Sequence, residues 1–223
     1  MSPRVAFAVL SLAAVSASGG PLRAGQGEAL RLVWFDPLDL ASGSESVARA
    51  EATELLARMG VSVSWRRSTS PEVIRTGELW VTVLGDGTQR ASGPLVLGAT
   101  QKRQSPASVV WVRVPNVRAA LGIPRNRSVE SLTPVERHRL AVALGRVVAH
   151  EVVHARVPAL PHGTGLMSGT LTRRQLTADS IAFEPEVAFA LQAALRGDPV
   201  FVPAGTRVLA TGAPLQEMDR WDR

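Results

Sequence analysis

The 223-residue chain has no cysteine and no tyrosine. Without cysteine there are no disulfides, no thiolate metal ligands and no thiol nucleophile, which leaves histidine, aspartate and glutamate as the candidate ligands for a metal. Latency by a cysteine capping a metal is excluded for the same reason. The missing tyrosine removes a phenolic hydroxyl as a partner for a developing oxyanion. Long apolar runs are missing as well. The stretch from Val5 to Val15 is too short to span a bilayer, and no later segment is long and apolar enough for a transmembrane helix. The net charge of +6 is modest and its arginines are scattered with no basic run, so a nucleic-acid surface is not indicated.

The remaining composition, 45% hydrophobic and 20% charged, is that of a globular chain rather than a disordered one. It suffices for one sizeable core or two small lobes around a cleft. Arg4, the short apolar run after it and the small residues Val15-Ser16-Ala17 read as a secretory signal peptide over residues 1–17, cut after Ala17. A buried helix of the mature domain is the alternative reading of that run. Residues 18–29 are Gly-rich and read as loose, 30–196 as the folded domain, and 197–223 as a Pro- and Gly-rich tail. A secreted or periplasmic protein is the expectation.

Within the domain, Leu30 to Phe35 reads as a strand ended by Asp36-Pro37, and residues 44–59 as a helix stopped by Gly60. Strands are expected at 61–65, 79–84 and 109–114, with a short edge strand at Leu95-Val96-Leu97. Residues 115–132 read as a loop with a short helical turn at 117–121. Thr133-Pro134-Val135-Glu136 combines an N-cap threonine, a proline at the first helical position and a glutamate at the third, so a helix should run from 134 to about 156, where Pro158 forbids more. Residues 171–176 read as a polar connection, and 178–195 as a last helix that starts afresh near Pro185. The sum is an α+β arrangement: a small mixed sheet flanked by an early helix and a long late one, followed by a short C-terminal helical lobe.

The long helix carries His150-Glu151-Val152-Val153-His154. Positions four apart differ by only about 40° around a helix, so both imidazoles project from one face, while Glu151 is rotated about 100° from His150. That separation favours Glu151 as a holder of a metal-bound water over a further ligand. A solvated pair of histidines is the plainer alternative, but the flanking valines 147, 148, 152 and 153 argue for burial, and buried histidines need partners. A catalytic zinc takes three protein ligands and one open position. His162, after the turn made by Pro158 and Pro161, is the natural third; Asp179, Glu184 and Glu186 are carboxylate alternatives on the following segment. His138, about 120° around the helix from His150, is more simply a structural or exposed residue.

This motif, with a third histidine and the nearby Gly165-Leu166-Met167 turn, resembles the metzincin-type, zincin-like zinc peptidases. It is similar also to a group of secreted bacterial proteins with the same seven-residue spacer and a Gly-(Leu/Ile)-Met turn. The resemblance implies zinc held by His150, His154 and His162, Glu151 as general base, and Met167 as the turn methionine supporting the metal. It departs from the usual pattern at Val157, where that family has glycine, and in its longer spacer. What the resemblance implies is hydrolysis of a peptide or protein substrate by a zinc-bound water that Glu151 activates; an extended substrate adding a strand to a sheet edge is expected, with Leu95 to Ala99 the candidate edge. Two other readings remain open: a catalytically inactive zinc-binding module that docks peptides or partners, and a non-peptide metallohydrolase such as a cell-wall amidase.

Overall fold

The computed structural model describes residues 29–70, 75–85, 95–102 and 108–198. The signal-peptide reading and nearly all of the tail fall outside these residues. Five strands, β1 (Leu30–Phe35), β2 (Val63–Ser68), β3 (Glu78–Leu84), β4 (Gly98–Lys102) and β5 (Ser108–Arg113), form one sheet in the order β2-β1-β3-β5-β4. The first four in that order run parallel, and β4 closes the edge antiparallel to β5. Helix α1 (Glu45–Arg58) links β1 to β2, which is the connection parallel neighbours require. The expected mixed α+β arrangement is thus the one found.

Both major helices lie on one face of the sheet rather than on opposite faces. Alternate residues Leu30, Leu32 and Trp34 of β1, with Leu79, Val81 and Val83 of β3, share one core with α1 and with α3 (Pro134–Arg156). The other face carries a small separate cluster of Val33, Trp80 and Val109. This division follows from the period-two alternation of strand side chains. Helix α3 begins with the capping box anticipated from Thr133 and Glu136: the Thr133 hydroxyl accepts from Glu136 N, and the Glu136 carboxylate accepts from Thr133 N. From Leu140 to Ala155 it is buried nearly all round.

Helices α1 and α3 approach each other closely at Gly145. A methyl group there would sit 2.5 Å from the Ala48 carbonyl oxygen and 2.7 Å from Glu51 Cβ. On an open helix, Gly→Ala would stabilise by about 1 kcal/mol. Gly145→Ala is expected instead to destabilise by about 1–3 kcal/mol, as overpacked cores do, and a lowered urea midpoint would register it. Buried Arg146 beside it hydrogen-bonds Glu51 at 2.7 Å and donates to the carbonyls of Gln175 and Ala178 at 2.6 and 2.7 Å. It thereby ties the long helix both to α1 and to the segment that follows the histidine loop.

Three expectations need correction. The edge strand is Gly98–Lys102, not residues 95–97, which form no strand although Leu97 O accepts from Arg113 N. Residues 114–120 are a full helix, α2 (Val114–Ala120), whose Pro115 opens the helix instead of merely stopping the strand. Part of the polar connection is helix α4 (Arg173–Thr177), with its own capping box of Thr172 and Gln175. The last helix, α5, runs over Pro185–Arg196 and ends at left-handed Gly197.

Candidate metal centre

Helix α3 delivers His150 and His154 one turn apart. After Val157 the chain turns through Pro158 and Pro161 and brings His162 back to them. One ligand nitrogen from each of the three residues can be chosen so that all lie within 4.8 Å of one another. The rings of His150 and His162 are nearly parallel, 5.5 Å apart, and His154 stands across both at 4.7 and 4.8 Å. No other cluster of metal-binding side chains occurs among the described residues. Asp179 and Glu186 are exposed and outside the cluster, and Glu184 is engaged elsewhere. His138 is exposed.

The individual rings are oriented for a cation. His150 Nδ1 lies 2.7 Å from the carbonyl oxygen of Leu166. A carbonyl can only accept, so Nδ1 carries the proton and Nε2 presents its lone pair. Leu166 belongs to a 3-10 turn, Gly165–Met167, that starts at a glycine with φ 56°. A side chain at Gly165 would collide with the Ala182 carbonyl, and Leu166 N donates to that same carbonyl at 2.7 Å. Met167 is wholly buried in the core. His154 Nε2 is buried without a hydrogen-bond partner among the described residues. Buried polar atoms are rarely left so, and a bound cation would satisfy it. Three imidazoles with no thiolate suit zinc or a neighbouring divalent transition metal.

Burial pushes His150 down from its ordinary value, as does the charge of His162, against the pull of the Leu166 bond. Burial, reinforced by His150 and His162, drives His154 down to about 3. Both rings therefore stand neutral and ready to ligate. The linkage has a definite sign. Between about 3 and 6.5 the unfolded chain binds a proton at His154 that the metal-free fold does not, so this residue costs stability progressively as pH falls below 6.5. Relative to a His154→Ala variant, the metal-free wild type is expected to lose up to about 1.4 kcal/mol per pH unit there, readable from urea titrations at pH 7.5 and 5. Glu151 runs the other way in part of the same window, so the difference between the two proteins, not the wild-type slope alone, isolates His154.

Glu151 is buried beside the triad, and burial raises its carboxyl to about 7. Thr100, on the edge strand, opposes the rise: its hydroxyl lies 2.9 Å from Glu151 Oε2 and 3.0 Å from the Glu151 carbonyl oxygen. Gly98 makes this approach feasible, since a Cβ there would come within 2.7 Å of Glu151 Cγ. The strand, the helix and the loop enclose a cleft of about 590 Å³ lined by Gly98 and Thr100, by His150, Glu151, His154 and Ala155, and by Pro158 to His162. The edge near Leu95 to Ala99 is therefore corrected to β4, of which only Gly98 and Ala99 belonged to the expected span. Thr100 and the Leu166 carbonyl were not legible as site components from the sequence, whereas Gly98 lay within the expected edge, its close approach to Glu151 hinted at only by a glycine beginning a strand.

No protein-family model matches the chain, and no curated protein matches it. Among solved structures, the archaemetzincin of Methanopyrus kandleri is similar over 78% of this chain and 99% of its own, with a TM-score of 0.46 and 16% identity. Among the described residues, no helix is long and apolar enough to cross a membrane.

Proposed function

We propose that the chain is an exported zinc-dependent peptidase. The observation that carries this reading is the gathering of three imidazoles at a cleft whose remaining ionisable wall is one buried carboxylate, Glu151. His150, His154 and His162 would hold the ion. When bound, zinc supplies a Lewis acid and makes water acidic enough to attack near neutral pH. Glu151 takes the attacking water's proton and returns it to the departing amine. Thr100 fixes the orientation of that carboxylate through Oε2. Among the described residues β4 pairs only with β5, and its outer edge would offer main-chain groups to an extended peptide laid along the cleft. Met167 and its turn keep His150 in the ligating tautomer through the neighbouring Leu166 carbonyl. Export rests on the composition of residues 1–17.

A peptide-library assay on the mature chain tests the reading. Hydrolysis should stop on chelation and return with added zinc. Zinc uptake without any cleavage would favour the binding-module reading, and cleavage of wall fragments alone the amidase reading.

A further inference from the structure

The third imidazole is the least predetermined of the set. His150 and His154 ride on a buried helix, whereas His162 sits on an exposed loop between Pro161 and Gly163. Two consecutive amides just beyond it are clamped. Gly163 N donates to the Met167 carbonyl at 2.8 Å. Thr164 N donates to Glu184 Oε1 at 2.7 Å, and the Thr164 hydroxyl reaches the same oxygen at 2.5 Å. Glu184 stands at the N-cap of α5, yet its side chain makes no bond to the helix it caps. Gly163 packs directly against this carboxylate. Its φ lies outside the left-handed region, so glycine is not demanded by backbone conformation. A Cβ there would sit 2.9 Å from Glu184 Oε1 and 3.3 Å from its Cδ and Oε2, so an added methyl would push this flexible carboxylate aside.

We propose that Glu184, which the sequence offered as an alternative ligand, is a positioning residue that pins the His162 loop and so sets how tightly the site holds its metal. The inference rests on the zinc reading above. A carboxylate that accepts two bonds from the loop restricts it before the ion arrives, and less ordering remains to be done on binding. Partners behind metal ligands are typically worth about 10–100-fold in metal affinity.

The test is zinc affinity of the full chain, measured by competition with a chromophoric chelator. Glu184→Ala should weaken binding by about 10-fold, the low end of that range, because its bonds go to Thr164 and not to His162 itself. Glu184→Gln, which keeps an acceptor oxygen, should retain most of the affinity, and Gly163→Ala should reproduce the loss by displacing the carboxylate. In a His162→Ala background, Glu184→Ala should cost nothing further, because its effect passes through His162. Wild-type affinity in Glu184→Ala, or an equal loss with and without His162, would overturn the proposal while leaving the zinc reading intact. Failure of the wild type to bind zinc would remove both. Should Glu184→Ala not fold, Gly163→Ala and Glu184→Gln decide the matter.

Discussion

Glu151→Gln is expected to lower kcat/KM by about 10²–10⁴-fold, the usual worth of a general acid–base group, with zinc content unchanged. Glutamine keeps the shape and can still meet the Thr100 hydroxyl, but it cannot accept a proton. The variant also carries its own control against misfolding. In the metal-free protein burial holds Glu151 at about 7, above its ordinary 4.5. Its contribution to stability is therefore present below 4.5 and is lost as pH rises through 7. At pH 8 the wild type keeps a buried charge that the glutamine variant lacks. Metal-free Glu151→Gln should melt no lower than wild type at pH 8, and its relative advantage should shrink at pH 5. Bound zinc favours the ionised carboxylate, so the acidic limb of the wild-type kcat/KM profile should fall below about 7. An active Glu151→Gln enzyme would leave the carboxylate without its assigned task.

His154→Ala is expected to weaken zinc binding by about 10³-fold or more, beyond the 10–100-fold typical of a partner standing behind a ligand. Of the three rings, only His154 has a buried nitrogen, Nε2, without a hydrogen-bond partner among the described residues, so it has the most to gain from a cation. Because burial keeps it neutral down to about 3, protons compete weakly for the folded site. His154 should therefore contribute little to the pH dependence of zinc binding between pH 7 and 6, and the His154→Ala variant should lose affinity across that interval no less steeply than the wild type. Competition titrations across that interval read both effects. A variant that binds zinc as the wild type does would show that His154 is no ligand.

The long helix was legible because its signals are local and agree: an N-cap threonine, a proline, a glutamate three residues on, and a proline beyond the end. The two helix histidines came with it, since their common face follows from helical geometry alone. The edge strand was not legible. Gly98-Ala99-Thr100-Gln101 has little strand propensity and owes its conformation to pairing with Val109 to Val112 of β5. Apolar Leu95 to Leu97 drew the strand too early. Helix α2 was hidden by Pro115, which stops a strand but equally opens a helix. The capping box at Thr172 and Gln175 was readable in principle and signals α4, a helix of only five residues. The Thr100–Glu151 and Glu184–Thr164 contacts join residues 51 and 20 positions apart, and nothing in sequence spacing announces them.

The most direct measurement of the centre is zinc-edge X-ray absorption on the purified chain after one equivalent of zinc, with wild type and His162→Ala side by side. One tightly bound zinc per chain is expected, with three imidazole nitrogens at about 2.0–2.1 Å and one oxygen scatterer, falling to two imidazoles in the variant. A wild-type spectrum with fewer than three imidazoles, or one that His162→Ala leaves unchanged, would contradict the assembly of the site.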